Sequence, residues 1–138
     1  MTGDDADMKT IIVTIKPVHL GDIRSRKKKY EIRKTCPAEL PFRALCCQSG
    51  SGGKILAEFV VDAAYREYPG DCPALVNAAC VSMKMAEEYA AGKEVWFWCV
   101  TDMIDYCSTK GYRVRHVSEF GLKRAPQSWC YVKQGESQ

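Results

Sequence analysis

The chain has 138 residues, 46% hydrophobic and 27% charged. That is the composition of one globular domain, able to bury roughly 65–70% of its unfolded surface, and it excludes a disordered, collagen-like or coiled-coil chain. The net charge of +3 hides two basic segments, 9–34 and 110–133, that flank an acidic middle, a pattern suited to phosphate if the fold brings the ends together.

Residues 1–8 read as a flexible acidic tail, 9–133 as a single domain and 134–138 as a second flexible tail. The start of the chain is acidic where a secretion signal would be basic and then apolar, so a cytoplasmic location is expected. From Thr10 to Lys16, Ile11, Val13 and Ile15 alternate with Thr10, Thr14 and Lys16, which predicts a strand with one buried face and Ile12 as the exception. Pro17 ends it and opens a short helix through Leu20 and Ile23. Lys28 to Lys34 sets Tyr30 and Ile32 on one face and Lys29, Glu31 and Arg33 on the other. An all-charged row is either an edge facing water or the wall of a polar site. The basic run Arg26 to Lys29 is equally open to the reading of a solvated loop.

Phe42 to Gln48 and Ile55 to Asp62 read as strands joined by the hairpin Ser49-Gly50-Ser51-Gly52-Gly53. A helix started by Asp71 and Pro73 carries Val76, Ala79, Met83, Ala86 and Ala90 on its inner face, with Gly92 near its end. Val95 to Val100 is apolar on both faces and predicts a central strand. Ser118 to Gly121 reads as a helical turn and Ser128 to Lys133 as the last strand. The sum is an α+β protein of five to seven strands, best accommodated as a small mixed β-barrel with flanking helices.

The eight cysteines include no CxxC pair, and His19 and His116 have no Cys or His at ligand spacing. They read as free thiols in a reducing compartment, and neither a metal site nor a cofactor is expected. No nucleophile elbow, phosphate loop or HExxH motif is present.

More specific are Ile15-Lys16-Pro17, then Lys28-Lys29-Tyr30-Glu31-Ile32-Arg33, then Phe120 to Val132 with Arg124-Ala125-Pro126-Gln127-Ser128-Trp129. In this order and spacing they resemble the ASCH domain, a family of PUA-like β-barrels with a GxKxxExR motif. Position by position, the motif's Lys, Glu and Arg fall on Lys28, Glu31 and Arg33. Its Gly falls on Arg26, a departure that puts the preceding turn in question.

The resemblance implies RNA or modified-nucleotide binding in a cleft between barrel and helix. The residues expected to line it are Lys16, Lys28, Glu31, Arg33, Lys123, Arg124, Gln127 and Ser128. Trp129 and Tyr131 are candidate stacking faces, whereas Tyr30, Trp96 and Trp98 are expected in the core. Some ASCH-like proteins resemble metal-independent ribonucleases, which would make Lys28, Glu31 and Ser128 catalytic. Others are acetylcytidine amidohydrolases, but Glu31 stands where their Thr nucleophile would, and a carboxylate cannot copy a hydroxyl. A protein-interaction or regulatory module is the remaining class. An interaction module of that kind has no need of Lys28 and Arg33 together.

Overall fold

The computed structural model describes residues 8–133, so the expected tails fall outside the described residues except for Met8. Two sheets form the fold. In the larger, β1 (Lys9–Ile15) lies between β3 (Phe42–Gln48), with which it is parallel, and β9 (Trp129–Val132), with which it is antiparallel. Beyond β3 come β4 (Lys54–Val61) and β7 (Thr101–Asp105), and β8 (Arg115–His116) also pairs with β4. The smaller sheet has the order β2 (Tyr30–Arg33), β6 (Val95–Cys99), β5 (Ala64–Glu67), all antiparallel.

Neither sheet closes on itself, so the expected barrel is not seen: the architecture is α+β, with nine strands and three α-helices among the described residues. The strands beyond the expected five to seven are short. β8 has two residues, and β7 follows β6 after Val100 alone, so one apolar stretch hid a change of sheet. β1 is buried on both faces rather than one. Ile11, Val13 and Ile15 enter the core with Phe42, Phe59 and Trp98, while Ile12 enters a second core with Leu45, Ile55 and Val117.

A parallel pair needs a crossover, and the one from β1 to β3 holds α1 (Pro17–Arg24) and β2. Pro17 stands at the helix start, where its missing N–H costs nothing. Leu20 and Ile23 bury α1 against the first core, and Arg24 bonds Asp105 at 3.0 Å to tie α1 to β7.

The single long helix expected after Pro73 is two, α2 (Pro73–Ala78) and α3 (Met83–Ala90). Cys80 breaks it with a left-handed φ of 61°, and Ser82 restarts it by accepting the Met85 N–H at 3.1 Å. The hairpin between β3 and β4 forms as expected. At Gly53, with φ +95°, a Cβ would lie 2.9 Å from Val117, so only glycine fits there. The eight cysteines are free, Cys46 and Cys47 wholly within the cores. No helix among the described residues is long and apolar enough to cross a membrane.

Candidate functional site

Where β1 gives way to α1, a cleft of about 430 Å³ opens between the large sheet, β2 and α3. Its floor is charged and nearly dry: Lys28 is 3% and Glu31 5% exposed. Local backbone geometry sends Lys28 inward. The amides of Lys27 and Lys28 both donate to the Asp22 carbonyl as the chain leaves α1. The Lys28 ammonium then donates to the Ala79 carbonyl just past α2 and stands 3.8 Å from Glu31 Oε1.

Arg33 holds the other side of Glu31. Its Nε and Nη2 both reach Oε2 at 2.7 Å. Nη2 also donates to the Thr14 carbonyl at 2.8 Å and Nη1 to Ser128 Oγ at 3.4 Å. One guanidinium thus joins the small sheet to β1 and to the approach to β9. The Thr14 hydroxyl completes the join by donating to the Pro126 carbonyl at 2.7 Å. Buried charges persist only when paired and hydrogen-bonded, and here two cations share one carboxylate.

Burial pushes the Lys28 pKa below its ordinary value, against the pull of Glu31. Burial, then the Lys28 charge, likewise depresses His19, whose imidazole lines the cleft from α1. The His19 Nδ1 is buried without a hydrogen-bond partner. Met85, Ala86 and Tyr89 of α3, with Val81 just before it and Ile32 of β2, make up an apolar wall of the lining. Lys16, Ser49, Glu88 and Gln127 complete the lining.

No family model matches the sequence, and no curated protein is significantly similar to it. Solved structures do match. ASCH from Zymomonas mobilis superposes with a TM-score of 0.74 at 17% identity, covering 96% of this chain and 93% of that one. A serine-to-alanine variant of that protein matches with a TM-score of 0.74 at 16% identity, covering 96% and 94%. A tyrosine-to-phenylalanine variant matches at 0.73 and 15%, covering 94% of each chain. The chain has the ASCH fold.

Within the ASCH fold, the positions matched to the motif's Lys, Glu and Arg converge on the cleft floor, and the charged row of β2 is the wall of a polar site as well as an edge. At the motif's Gly position Arg26 adopts φ 67°, so the turn keeps a left-handed conformation that a side chain makes costly. Of the residues expected at the site, Lys16, Lys28, Glu31, Arg33 and Gln127 line the cleft, and Ser128 meets it through Arg33.

Lys123, Arg124, Trp129 and Tyr131 are not in the lining. Lys123 and Arg124 lie between Leu122 and Ala125, which pack on the second core, across the large sheet from β2. Trp129 is half-buried, donating to Thr35 Oγ1 at 2.9 Å and meeting Trp98 edge-on, while Tyr131 is exposed. Of the rings expected in the core, Trp98 is fully buried, and Trp96 and Tyr30 pack partly against the cores.

Sequence reasoning missed His19, Met85 and Tyr89. The signal for the last two was present: both are exposed and apolar, four residues apart and off the inner stripe of α3. Among the described residues no group of three or more His, Cys, Asp or Glu is arranged to hold a metal ion.

Proposed function

We propose that the cleft binds one unpaired nucleotide of an RNA strand, or a free modified nucleotide. The observation that carries this reading is the pairing of a dry, charged floor with an apolar wall bearing Met85 and Tyr89. That is the combination a base needs, polar groups for its edge and apolar surface for its face. A volume near 430 Å³ falls within the range of roughly 300–1,000 Å³ typical of small-ligand sites. Lys16 and Gln127 then meet sugar and phosphate at the mouth, and Lys123 and Arg124, across the large sheet, take no part. Trp129 braces the fold beneath the site, and Tyr131 remains a stacking face for a neighbouring base.

The test is fluorescence anisotropy of a labelled single-stranded RNA, titrated in EDTA at two salt concentrations with wild type and Lys28→Met. Affinity is expected to fall with salt by about 0.7 log units per log unit of salt for each neutralised phosphate, and to drop at least tenfold in the variant. Equal binding by the two proteins would overturn the reading.

A metal-independent ribonuclease is the second reading, supported by the continuous chain Lys28–Glu31–Arg33–Ser128. In it Lys28 stabilises charge on the reacting phosphate, Glu31 positions Lys28 and Ser128 orients the attacking group. Cleavage products in the same EDTA samples, absent with Ser128→Ala, would favour it.

A further inference from the structure

We infer that the ligand enters base first: the floor reads the hydrogen-bonding edge of the base and keeps phosphate at the mouth. This rests on the nucleotide reading above and adds the orientation and the chemical group recognised.

Arg33 is the cation expected to take a phosphate, yet it is committed to Glu31, the Thr14 carbonyl and Ser128. A phosphate on the floor would also lie against the Glu31 carboxylate, a like charge in a dry site. What the floor does offer is a donor beside an acceptor. Glu31 Oε2 is occupied by Arg33, whereas Oε1 has the Lys28 ammonium at 3.8 Å, outside hydrogen-bond reach, as its cation among the described residues. Lys28 gives one of its three protons to Ala79, which leaves protons for a ligand.

An acceptor and a donor 3.8 Å apart complement a flat molecule that carries an N–H next to a ring nitrogen or carbonyl. Every base presents that arrangement on its Watson–Crick edge. The His19 imidazole lines the same cleft and adds a third polar group beside them. A base seated this way lays its face on Met85 and Tyr89. Its own edge must be free, so a base-paired nucleotide cannot enter.

Competition against the labelled RNA tests the orientation. Uridine and guanosine are expected to displace it, with 3-methyluridine and 1-methylguanosine at least tenfold weaker because their ring N–H is blocked. Ribose 5-phosphate is expected not to compete at the same concentrations. His19→Phe, with an unchanged melting temperature, is expected to weaken uridine several-fold. Displacement by ribose 5-phosphate as strong as by the nucleosides, or indifference to methylation, overturns base-first entry while leaving RNA binding intact. Failure of the RNA itself to bind overturns the nucleotide reading underneath.

Discussion

Two clusters in this molecule share one formula, two cations around a glutamate. On the cleft floor Lys28 and Arg33 flank Glu31; beside β8, Arg113 and Arg115 flank Glu119. The floor side chains are 3%, 13% and 6% exposed for Lys28, Arg33 and Glu31, against 67%, 28% and 28% for Arg113, Arg115 and Glu119. The outer cluster serves its own turn. Glu119 accepts the His116 amide at 3.0 Å and closes a capping box on the 3-10 turn Val117–Phe120, while Arg115 covers the Phe120 ring at 5.0 Å.

Water screens the outer charges and makes them cheap. Burial makes the floor expensive, and apolar residues of similar volume would often hold such a position as well or better. A costly cluster kept beside an open cleft is what the proposed ligand site requires of it.

The sharpest way to break the contrast is Arg33→Ala. It strands Glu31 with a distant ammonium and removes the bonds from β2 to the Thr14 carbonyl and Ser128, and is expected to cost about 3–5 kcal/mol in urea unfolding, a large share of the roughly 5–15 kcal/mol that holds a domain together. A loss below about 1 kcal/mol would put the floor in the same class as the surface. Lys28→Met probes binding together with stability. Glu31 keeps Arg33 and the Ala79 carbonyl loses a donor, so stability should fall by about 1–3 kcal/mol, less than for Arg33→Ala, while RNA affinity falls at least tenfold, about 1.4 kcal/mol.

Glu119→Gln is the matching surface experiment, expected to cost about 0.5–1 kcal/mol and leave RNA binding unchanged. Its acid limb carries a signature. Arg113 and then Arg115 hold the Glu119 carboxyl at about 2, down from an ordinary 4.5. The stability it adds is therefore complete above pH 4.5 and is lost as pH falls from there toward 2. The variant should show a flatter acid limb over that interval, and high salt should erase the difference.

For His19 the window is higher. Its folded value lies below the ordinary 6.5, so stability is full above pH 6.5 and declines as pH falls through the folded value. With only two histidines in the chain, NMR titration resolves it directly, and a midpoint at or above 6.5 would contradict the buried, cation-facing ring. The smallest expected effect is that of Arg26→Gly, a gain of about 0.5 kcal/mol from relieving the left-handed φ, seen as a slightly raised Tm.

How much of this was legible depended on local signals. Alternation marked β1, β2 and β4, where apolar side chains recur at every second position. It could not mark Arg115–His116, a two-residue strand, or Thr101–Asp105, a polar run beginning one residue after β6. Nor could it mark the break at Cys80, where neither Gly nor Pro stands; Ser82 as a cap was the available clue.

At the site, the motif positions led to Lys28, Glu31 and Arg33. The pull of charge alone led equally to Lys123 and Arg124, because a count of cations carries no information about which side of a sheet they occupy. Lys28 was the hardest case. A lysine in a run of four basic residues reads as solvated, and only the Asp22 and Ala79 carbonyls, distant partners that no local window contains, turn it inward.

The joins that complete the cleft span much of the chain, 112 positions from Thr14 to Pro126 and 95 from Arg33 to Ser128. During synthesis the first strand therefore leaves the ribosome long before its neighbour β9 exists. Until the final stretch emerges, β1 has an open edge and the Arg33 guanidinium lacks its Ser128 partner. A prematurely terminated copy ending before Pro126 can bury most of the same core yet has a cleft without its Gln127 rim. Contacts of such long sequence separation also form late and slowly, so quality control over Pro126 to Val132 is quality control over the site.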